Sequence, residues 1–238
     1  MPGDNIAAFA KRPNGLLASL PPNEVKRLQR HFEPVDLPLR RELYAANRPI
    51  EHVYFLHTGV ASLVRDMQEG DIVEIATIGH EGLVGIALVL GGSQMASRAF
   101  MQVPGEGVRI AADVFLNELE SSPALHRRLL RYALALFAQV SLTAACNRTH
   151  TVERRCARWL LMTHDRVDSD AFLLTQEFLG QMLGVQRPTV SIAAGMLQKA
   201  GLITYSRGTV TVLDRKGLEE MSCECYRAIL DEYDRMLE

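Results

Sequence analysis

One stretch, residues 174–203, most limits how this chain can fold: LTQEFLGQMLGVQRPTVSIAAGMLQKAGLI. Thr175 is a suitable N-cap for a first helix, and Gly184 falls where that helix must end and the chain must reverse. Pro188 suits the first turn of a second helix, because a backbone N–H there would have no intrahelical partner. Apolar residues repeat at helical spacing in both halves, so each helix has one face to bury. The stretch therefore predicts two short helices joined by a tight glycine turn.

A β-hairpin is predicted directly behind these helices. The alternating runs Ile203–Tyr205 and Thr209–Val212 flank the turn tripeptide Ser206-Arg207-Gly208, which places one arginine at the tip. An ordinary α-hairpin inside a globular domain would explain the two helices alone, but not a hairpin in this position. Helix, turn, helix and wing together are typical of a domain that places its second helix in the DNA major groove.

The composition is that of a soluble globular protein. With 238 residues, of which 47% are apolar and 23% charged, the chain can bury the cores of two domains. It has no run approaching the ~18 consecutive apolar residues that span a bilayer. Its first residues lack the basic start and long apolar core of a signal peptide. We therefore expect a cytoplasmic protein with no membrane association.

Charge is distributed unevenly along the chain. The formal net charge is −2, whereas residues 151–216 contain nine Lys or Arg and six Asp or Glu, a balance of +3. A basic balance in the segment that holds the two helices favours nucleic acid as its partner.

The N-terminal half has the pattern of an antiparallel β structure. Short runs rich in β-branched and aromatic residues are separated by glycine-containing turns at intervals of roughly 8–12 residues. The predicted strands are Phe32–Leu37, His52–His57, Val60–Asp66, Ile72–Ile78, Ser97–Val103 and Val108–Ile110. This spacing predicts an antiparallel β-roll or a barrel-like sandwich.

A long helix is predicted from Pro123 to about Asn147. Its apolar residues cover more than one face, and its strongly polar residues form a single arginine cluster. Such a helix must be covered on nearly all sides, by the roll on one side and by the same helix of a second chain on the other. Burial within a single chain is the alternative. The polar run Asn147–His150 then interrupts the pattern and predicts a hinge.

These elements predict an α+β fold with five segments in order. They are a loose N-terminal tail at 1–15, a β-roll domain at 16–122, a long dimerisation helix and hinge at 123–149, a winged helix-turn-helix DNA-binding domain at 150–217 and a C-terminal helix at 218–238. In the fourth segment, a helix at Val152–Val167 is expected to bury Trp159 and to expose Arg154, Arg155 and Arg158.

This order of elements resembles the CRP/FNR family of bacterial transcription regulators over roughly residues 16–215. The residues that carry the resemblance are TQEFLGQMLGVQRPTVS at 175–191, Met196-Leu197 and Gly201–Ile203 in the C-terminal part, and Gly70-Asp71 and Ile78–Leu83 in the roll. The resemblance implies that the roll at 16–122 is a cyclic-nucleotide-binding-like sensor domain with a jelly-roll-like, double-stranded β-helix fold, and that a winged helix-turn-helix is present. It also implies that the protein is not an enzyme, and the chain contains no Walker loop, HExxH, GxSxG or Rossmann fingerprint.

The resemblance further implies which side chains contact DNA. The base-reading residues would be Gln186, Arg187 and Ser191, and the phosphate-binding residues would be Thr175, Thr189 and Arg207. Arg187 stands where family members direct an arginine to O6 and N7 of guanine. Pro188 and Ile192 stand where cyclic-AMP-responsive members carry charged readers, so the preferred DNA sequence should differ from theirs. In a dimer, two such helices would meet half-sites about one helical turn (~34 Å) apart, so the operator is expected to be an inverted repeat.

The same resemblance places a candidate ligand pocket in the roll, at Gly79, His80, Glu81, Gly82, Leu83 and Arg98. Cyclic-nucleotide-binding members hold the ribose with a glycine–glutamate pair and the phosphate with an arginine followed by Ser or Thr and then Ala. Here His80 separates the glycine from the glutamate, and Arg98 is followed by Ala99-Phe100. Because a cyclic phosphate needs a guanidinium and N–H groups that converge on it, we do not expect a cyclic nucleotide to be the effector.

The identity of any cofactor stays open at this point. No iron–sulfur cluster is expected, because the N-terminal cysteine cluster of iron–sulfur members is absent and all four cysteines lie after residue 145. Haem stays open, since the roll contains four histidines, His31, His52, His57 and His80. The four cysteines, Cys146, Cys156, Cys223 and Cys225, lack metal-finger spacing, so we expect free thiols and no metal site.

We therefore expect a homodimeric, sequence-specific transcription regulator whose DNA binding responds to a signal in the roll. Its partners would be double-stranded DNA, a second copy of itself and RNA polymerase. An effector would alter packing along Pro123–Asn147 and move the DNA-binding domains about Asn147–His150. Two alternatives stay open: a constitutive DNA binder with a vestigial pocket, and a ligand-sensing or scaffold module whose helix-turn-helix serves protein contacts.

Overall fold

The structure of the protein, a computed structural model, describes residues 13–237. Its strands are β1 (Glu33–Leu37), β2 (Glu42–Tyr44), β3 (His52–Leu56), β4 (Val60–Asp66), β5 (Ile72–Ile78), β6 (Leu83–Val84), β7 (Arg98–Val103), β8 (Gly105–Ala111), β9 (Ala171–Leu173), β10 (Ile203–Ser206) and β11 (Thr209–Val212). Its α-helices are α1 (Gly15–Ala18), α2 (Pro22–Leu28), α3 (Ala112–Ser121), α4 (Pro123–Thr149), α5 (Val152–His164), α6 (Gln176–Leu183), α7 (Arg187–Lys199), α8 (Arg215–Met221) and α9 (Cys225–Leu237).

The chain divides into two compact units. The first, which we call the roll unit, contains the described parts of Met1–Leu63, Thr77–Phe137 and Tyr233–Glu238. The second, which we call the C-terminal unit, contains Val64–Ala76 and Ala138–Glu232. The distal half of the β4–β5 hairpin therefore belongs to the same compact unit as α6 and α7.

Two four-stranded sheets build the roll, in the strand orders β1-β8-β3-β6 and β2-β7-β4-β5. Strand β3 pairs antiparallel with β8, which sets Val53 opposite Ile110 and Phe55 opposite Val108. These four side chains are at most 2% exposed, because they form the apolar core of the roll. The predicted antiparallel roll is confirmed. The two strands that the pattern did not predict are the short ones, β2 with three residues and β6 with two.

The chain just before α1 is packed into the roll, although the sequence suggests a loose tail at 1–15. Residues 1–12 lie outside the described part of the chain. Asn14 is 1% exposed, and its Oδ1 accepts a hydrogen bond from Leu17 N, which caps α1. Its Nδ2 donates to the carbonyl oxygens of Leu56 at 3.0 Å and Gly82 at 2.8 Å. A buried amide with its hydrogen-bonding groups satisfied in this way fixes residues 13–15 to the sheet edge.

Helix α4 has a buried face and an exposed apolar face. Leu125, Leu129 and Tyr132 are fully buried, whereas Leu134 is 66% and Phe137 69% exposed. By length and composition alone this helix could cross a membrane: its most apolar window of 18 residues has a mean hydropathy of 1.5 and is 33% buried. One such helix is weak evidence for a span, since the core helix of a soluble protein has the same composition. The exposed face shows that burial within one chain does not cover the whole helix.

The break after α4 is shorter than the sequence predicts. Helix α4 continues to Thr149, and α5 begins at Val152, so only His150 and Thr151 separate the two helices. His150 N still donates to Cys146 O at 3.0 Å, which extends the helical hydrogen-bond pattern by one residue. Three of the four residues in the predicted hinge are therefore helical.

The C-terminal unit is built on the buried helix α5. Trp159 is 4% exposed, as its apolar spacing predicts, but Arg155 and Arg158 are 7% and 4% exposed rather than facing the solvent. An Arg155 Nη donates to Leu183 O in the last turn of α6, where a helix leaves carbonyl oxygens without intrahelical partners. The guanidinium thus joins α5 to the end of α6, which explains the burial of this charged side chain.

Candidate nucleic-acid interface

The two predicted helices are α6 and α7, and the turn between them has the expected glycine geometry. Thr175 caps α6, its Oγ1 accepting from Phe178 N at 3.1 Å, and Gly184 ends the helix at φ 62°, ψ 39°. This left-handed backbone favours glycine, which has no Cβ. Gly180 is required for a different reason, because a Cβ there would lie 2.8 Å from Val185 O in the turn. The backbone of α6 and the turn therefore approach each other closely.

Helix α7 presents a polar face at its N-terminal end. Gln186 is its N-cap and Pro188 stands in its first turn. The buried residues of α7 are Val190, Ala193, Ala194 and Leu197. The exposed residues at its N-terminal end are Gln186, Arg187, Pro188, Thr189, Ser191 and Ile192. Because the buried residues repeat at three- and four-residue spacing, the opposite face is free for a ligand, and all three predicted base-reading residues are exposed at that end.

A polar bridge links the outer faces of the two helices. Ser191 Oγ donates to Gln176 Oε1 at 2.6 Å and also lies 3.2 Å from Arg187 O. The bridge leaves the amide Nε2 of Gln176, a donor group, beside the N-terminal end of α7. Gln176 was not among the predicted contact residues, and its position in the first turn of α6 gave no sequence signal that would distinguish it from other surface glutamines.

The predicted hairpin is confirmed as a wing, and a third strand is paired with it. Strands β10 and β11 pair antiparallel, and β9, which the pattern did not predict, pairs with β11 on its other edge. Arg207 lies at the turn with φ 50°, followed by Gly208 at φ 78°. Positive φ at two consecutive turn residues is the geometry of a type I′ hairpin, which suits the twist of the strands. Arg207 is exposed at the tip.

A groove of about 580 Å³ lies between the helices and the wing. Its lining residues are Thr175, Gln176, Glu177, Arg187, Tyr205, Arg207 and Gly208. The groove is therefore lined by two predicted phosphate-binding residues, Thr175 and Arg207, and by one predicted base-reading residue, Arg187. Thr189 is exposed on α7 and is not one of the residues that line this groove.

Tyr205 fixes the wing against α7 and against the residue just before the N-cap of α6. Its hydroxyl donates to Leu174 O at 2.7 Å, and its backbone N donates to Gln198 Oε1 at 2.8 Å. Burial raises the pKa of Tyr205 to about 12, so the phenol remains a hydrogen-bond donor at neutral pH. These two bonds place Arg207 relative to Arg187, although neither Tyr205 nor Gln198 was predicted to have a role.

The tip of the β4–β5 hairpin lies beside α6 and α7 within the C-terminal unit. Gly70, Asp71, Ile72 and Val73 line a second cleft, of about 410 Å³, together with Gln186, Arg187 and residues of α6. Trp159 Nε1 in α5 donates to Glu74 Oε1 on β5 at 2.8 Å, and both groups are buried. This buried hydrogen bond joins β5 to α5.

Five of the six residues of the candidate ligand pocket form one tight turn. Glu81 Oε1 accepts from Gly79 N at 3.0 Å, and Glu81 Oε2 lies 3.4 Å from His80 Nδ1. A Cβ on Gly82 would lie 2.4 Å from the ring of Tyr132, whose hydroxyl donates to Leu83 O at 3.0 Å. The turn is thus held by its own carboxylate and by α4.

The sixth residue of that pocket lies on β7. The guanidinium of Arg98 stacks over the Phe100 ring, with 5.0 Å from Cζ to the ring centroid, a cation–π geometry. Of the histidines considered for haem, His31 pairs with Glu118 at 3.2 Å and His80 with Glu81.

Comparison with known proteins gives similar regulators for both halves of the chain. The family model of the Crp-like helix-turn-helix domain matches residues 154–221, and that of the cyclic nucleotide-binding domain matches residues 34–122. The CRP-like cAMP-activated global transcriptional regulator of Mycobacterium tuberculosis is 22% identical over 222 residues, which cover 90% of this chain and 97% of that protein.

Solved structures show the same fold. FixK2 from Bradyrhizobium japonicum has a TM-score of 0.69 at 17% identity, covering 81% of this chain and 98% of its own. A transcriptional regulator of the crp/fnr family from Eubacterium rectale has a TM-score of 0.68 at 16% identity, covering 87% and 96%. The two domains, their order along the chain and their fold are shared with these proteins.

Proposed function

We propose that this chain, which belongs to the CRP/FNR family of transcription regulators, binds an inverted-repeat operator as a homodimer. We also propose that a signal in the roll modulates this binding. The observation that carries the proposal is the exposed polar end of α7 beside the wing. Gln186, Arg187 and Ser191 are exposed at one helix end, and the groove next to them is lined by Arg207 and Thr175. A helix end of this kind fits the major groove, and its dipole favours phosphate nearby.

Each polar side chain has a distinct task in this proposal. Arg187 reads guanine through two hydrogen bonds to O6 and N7, because its planar guanidinium matches that edge. Gln186 reads a neighbouring base. Ser191 already donates to Gln176, so it offers its oxygen as an acceptor, for example to an amino group of cytosine or adenine. Thr175, Thr189 and Arg207 bind phosphates and fix the register without reading sequence.

The dimer is supported by the exposed apolar face of α4. Leu130, Leu134 and Phe137 follow one another at four- and three-residue spacing and are 42%, 66% and 69% exposed. This is the stripe that packs against an identical helix around a two-fold axis. A two-fold dimer presents two copies of α7, which requires an operator with two inverted half-sites.

The signal is proposed to act through the β4–β5 hairpin. Strand β4 begins in the roll unit and β5 ends there. The tip of the hairpin lines the same cleft as Arg187, and Glu74 accepts a hydrogen bond from Trp159 in α5. An effector that alters the strands of the roll would change the population of hairpin positions beside α7. RNA polymerase is the further partner that this function requires of an activator.

Selection from random DNA, followed by binding measurements on the selected site and on unrelated DNA, tests the proposal. Arg187→Ala should weaken binding to the selected site by about 1–3 kcal/mol and relax the preference at one position of each half-site. Arg207→Ala is the matched loss of one positive charge. It should weaken binding to both DNAs alike and reduce the salt dependence by about one ion.

Two results would contradict the proposal. If no inverted repeat is enriched or protected at low salt, the protein is not an operator-binding regulator. If Arg187→Ala weakens the selected and the unrelated DNA equally, Arg187 does not read a base.

A further inference from the structure

Three of the four cysteines and one histidine converge at the end of α4. These residues are Cys146, His150, Cys223 and Cys225, all in the C-terminal unit. Each offers one ligand atom, and the four atoms all lie within 4.8 Å of one another. The cysteines are 0%, 2% and 5% exposed. The spacing of the cysteines along the chain matches no zinc finger and predicts free thiols without a metal site. The cysteines are free thiols, but the fold gathers three of them into one cluster with His150.

Two chain segments deliver the ligands in pairs. Cys146 and His150 are four residues apart at the C-terminal end of α4, so they point from the same side of the helix. Cys223 and Cys225 flank Glu224 at the junction of α8 and α9. An i, i+4 pair facing a Cys-x-Cys pair provides four ligands from two directions, as a tetrahedral ion needs.

The spacing of the ligand atoms fits one mononuclear ion. Zinc binds thiolate at about 2.3 Å and imidazole at about 2.0 Å, so tetrahedral ligand atoms lie about 3.4–3.8 Å apart. Cys146 Sγ lies 3.4 Å from Cys223 Sγ, and Cys225 Sγ lies 3.7 Å from His150 Nδ1. An iron–sulfur cluster fits less well, because its cysteines ligate different iron atoms and are held farther apart.

The surroundings orient the histidine for coordination through Nδ1. His150 Nε2 lies 3.1 Å from Glu224 Oε1, so a proton on Nε2 is held by the carboxylate and the lone pair of Nδ1 faces the sulfur atoms. Thr149 Oγ1 is 3.4 Å from Nδ1, but it donates its proton to Ala145 O at 2.9 Å and does not occupy that lone pair. A carboxylate behind a ligating histidine is the usual outer partner of zinc sites.

A buried positive charge lies close enough to compensate the site. Zinc with three thiolates and one imidazole carries a net charge of −1. The charge of Arg158 acts on all three cysteines, and Arg158 is 4% exposed. Its Nε is buried with no hydrogen-bond partner among the described residues. Since a buried guanidinium needs an anionic partner, a thiolate–metal centre would compensate the charge of Arg158.

We propose that Cys146, His150, Cys223 and Cys225 bind one Zn²⁺ ion in a closed, structural site that ties the end of α4 to the α8–α9 junction. With four protein ligands the ion has no open position for a substrate. The site joins segments 77 residues apart, counted between Cys146 and Cys223, and so stabilises the folded C-terminal unit by a long loop closure. Its four ligands are not among the residues proposed to contact DNA or an effector.

Metal analysis of the full-length chain, purified under reducing conditions without chelator, is the first test. We expect about one zinc per chain, retained through gel filtration. Cys223→Ser and His150→Ala should lower this content. Cys156→Ala is the matched control, because Cys156 is a buried thiol outside the cluster, with a pKa raised to about 12 by burial, and should leave the content unchanged.

Cobalt substitution keeps the test independent of whether the variants fold. Co²⁺ added to the zinc-free wild-type chain should give the visible absorption of a tetrahedral ion and the near-ultraviolet band of thiolate-to-cobalt charge transfer. His150→Cys should retain the ion and shift the visible bands towards those of a four-sulfur site. The inference is overturned if the wild-type chain binds neither Zn²⁺ nor Co²⁺ in stoichiometric amount. It is also overturned by iron with acid-labile sulfide, by a Cys146–Cys223 disulfide under reducing conditions, or by equal loss of metal in Cys156→Ala.

Discussion

The exposed stripe on α4 makes a quantitative prediction about dimerisation. Leu134 is 66% exposed in the single chain. Complete burial of a leucine contributes about 1.5–3 kcal/mol, so covering the exposed two thirds contributes about 1–2 kcal/mol. A two-fold interface contains the residue twice, which gives about 2–4 kcal/mol per dimer. Because alanine keeps only Cβ, Leu134→Ala should remove most of this, about 1.5–3 kcal/mol, and raise the dimer dissociation constant by about 10- to 160-fold.

Sedimentation equilibrium over a range of protein concentrations measures this constant directly. Leu134→Ala should not destabilise the monomer, since the side chain is exposed there and alanine is a good helix former. The control is Leu90→Ala, because Leu90 is 62% exposed but lies outside α4. A wild-type chain that is monomeric at all concentrations, or a dissociation constant that is the same for Leu134→Ala and Leu90→Ala, would refute the assignment of the interface to α4.

Three further predictions concern the roll unit. Gly82→Ala should lower the free energy of unfolding by about 1–3 kcal/mol in denaturant titrations, because its Cβ would displace the Tyr132 ring, whereas Gly92→Ala, with only ordinary contacts, should not. Burial raises the pKa of Tyr44 to about 12, above the ordinary 10, so the unfolded chain loses this proton at a lower pH than the folded chain. The free energy of unfolding should therefore fall as the pH rises from about 10 to 12, and it should fall less in Tyr44→Phe. Cyclic AMP should leave the thermal midpoint of the wild-type chain unchanged; a saturable increase would show that the altered roll turn still binds the nucleotide.

The features that could be predicted from the sequence rest on local rules. Thr175 and Gly184 mark the ends of α6 because capping and left-handed geometry depend on a few neighbouring residues. The wing follows from the Ser206-Arg207-Gly208 turn between alternating runs. The roll follows from strand spacing, whereas β2, β6 and β9 have too few residues to show alternation.

The buried arginines could not be predicted, because their reasons are not local. Arg155 and Arg158 have the spacing and charge of a solvent-facing stripe on α5. The structure buries Arg155 because Leu183 O, at the end of another helix, accepts its hydrogen bond. It buries Arg158 beside thiols that come from α4 and from the α8–α9 junction. Periodicity shows which charged residues share one face of a helix. Only tertiary contacts show whether such a charge has a buried partner.

The metal centre proposed above also changes where the chain can bend. The polar run Asn147–His150 predicts a hinge, yet α4 continues to Thr149 and His150 would itself be a ligand together with Cys146. An ion bound to both residues holds the last turn of α4 rigid, so rotation of backbone angles within residues 146–150 would break a metal–ligand bond. Only Thr151 then lies between the bound turn and the first residue of α5. Because the same ion binds Cys223 and Cys225 at the α8–α9 junction, it also limits rotation at Thr151. A change in the arrangement of the DNA-binding helices must therefore arise by bending of α4 before Cys146, and removing the ion should restore freedom to residues 146–151.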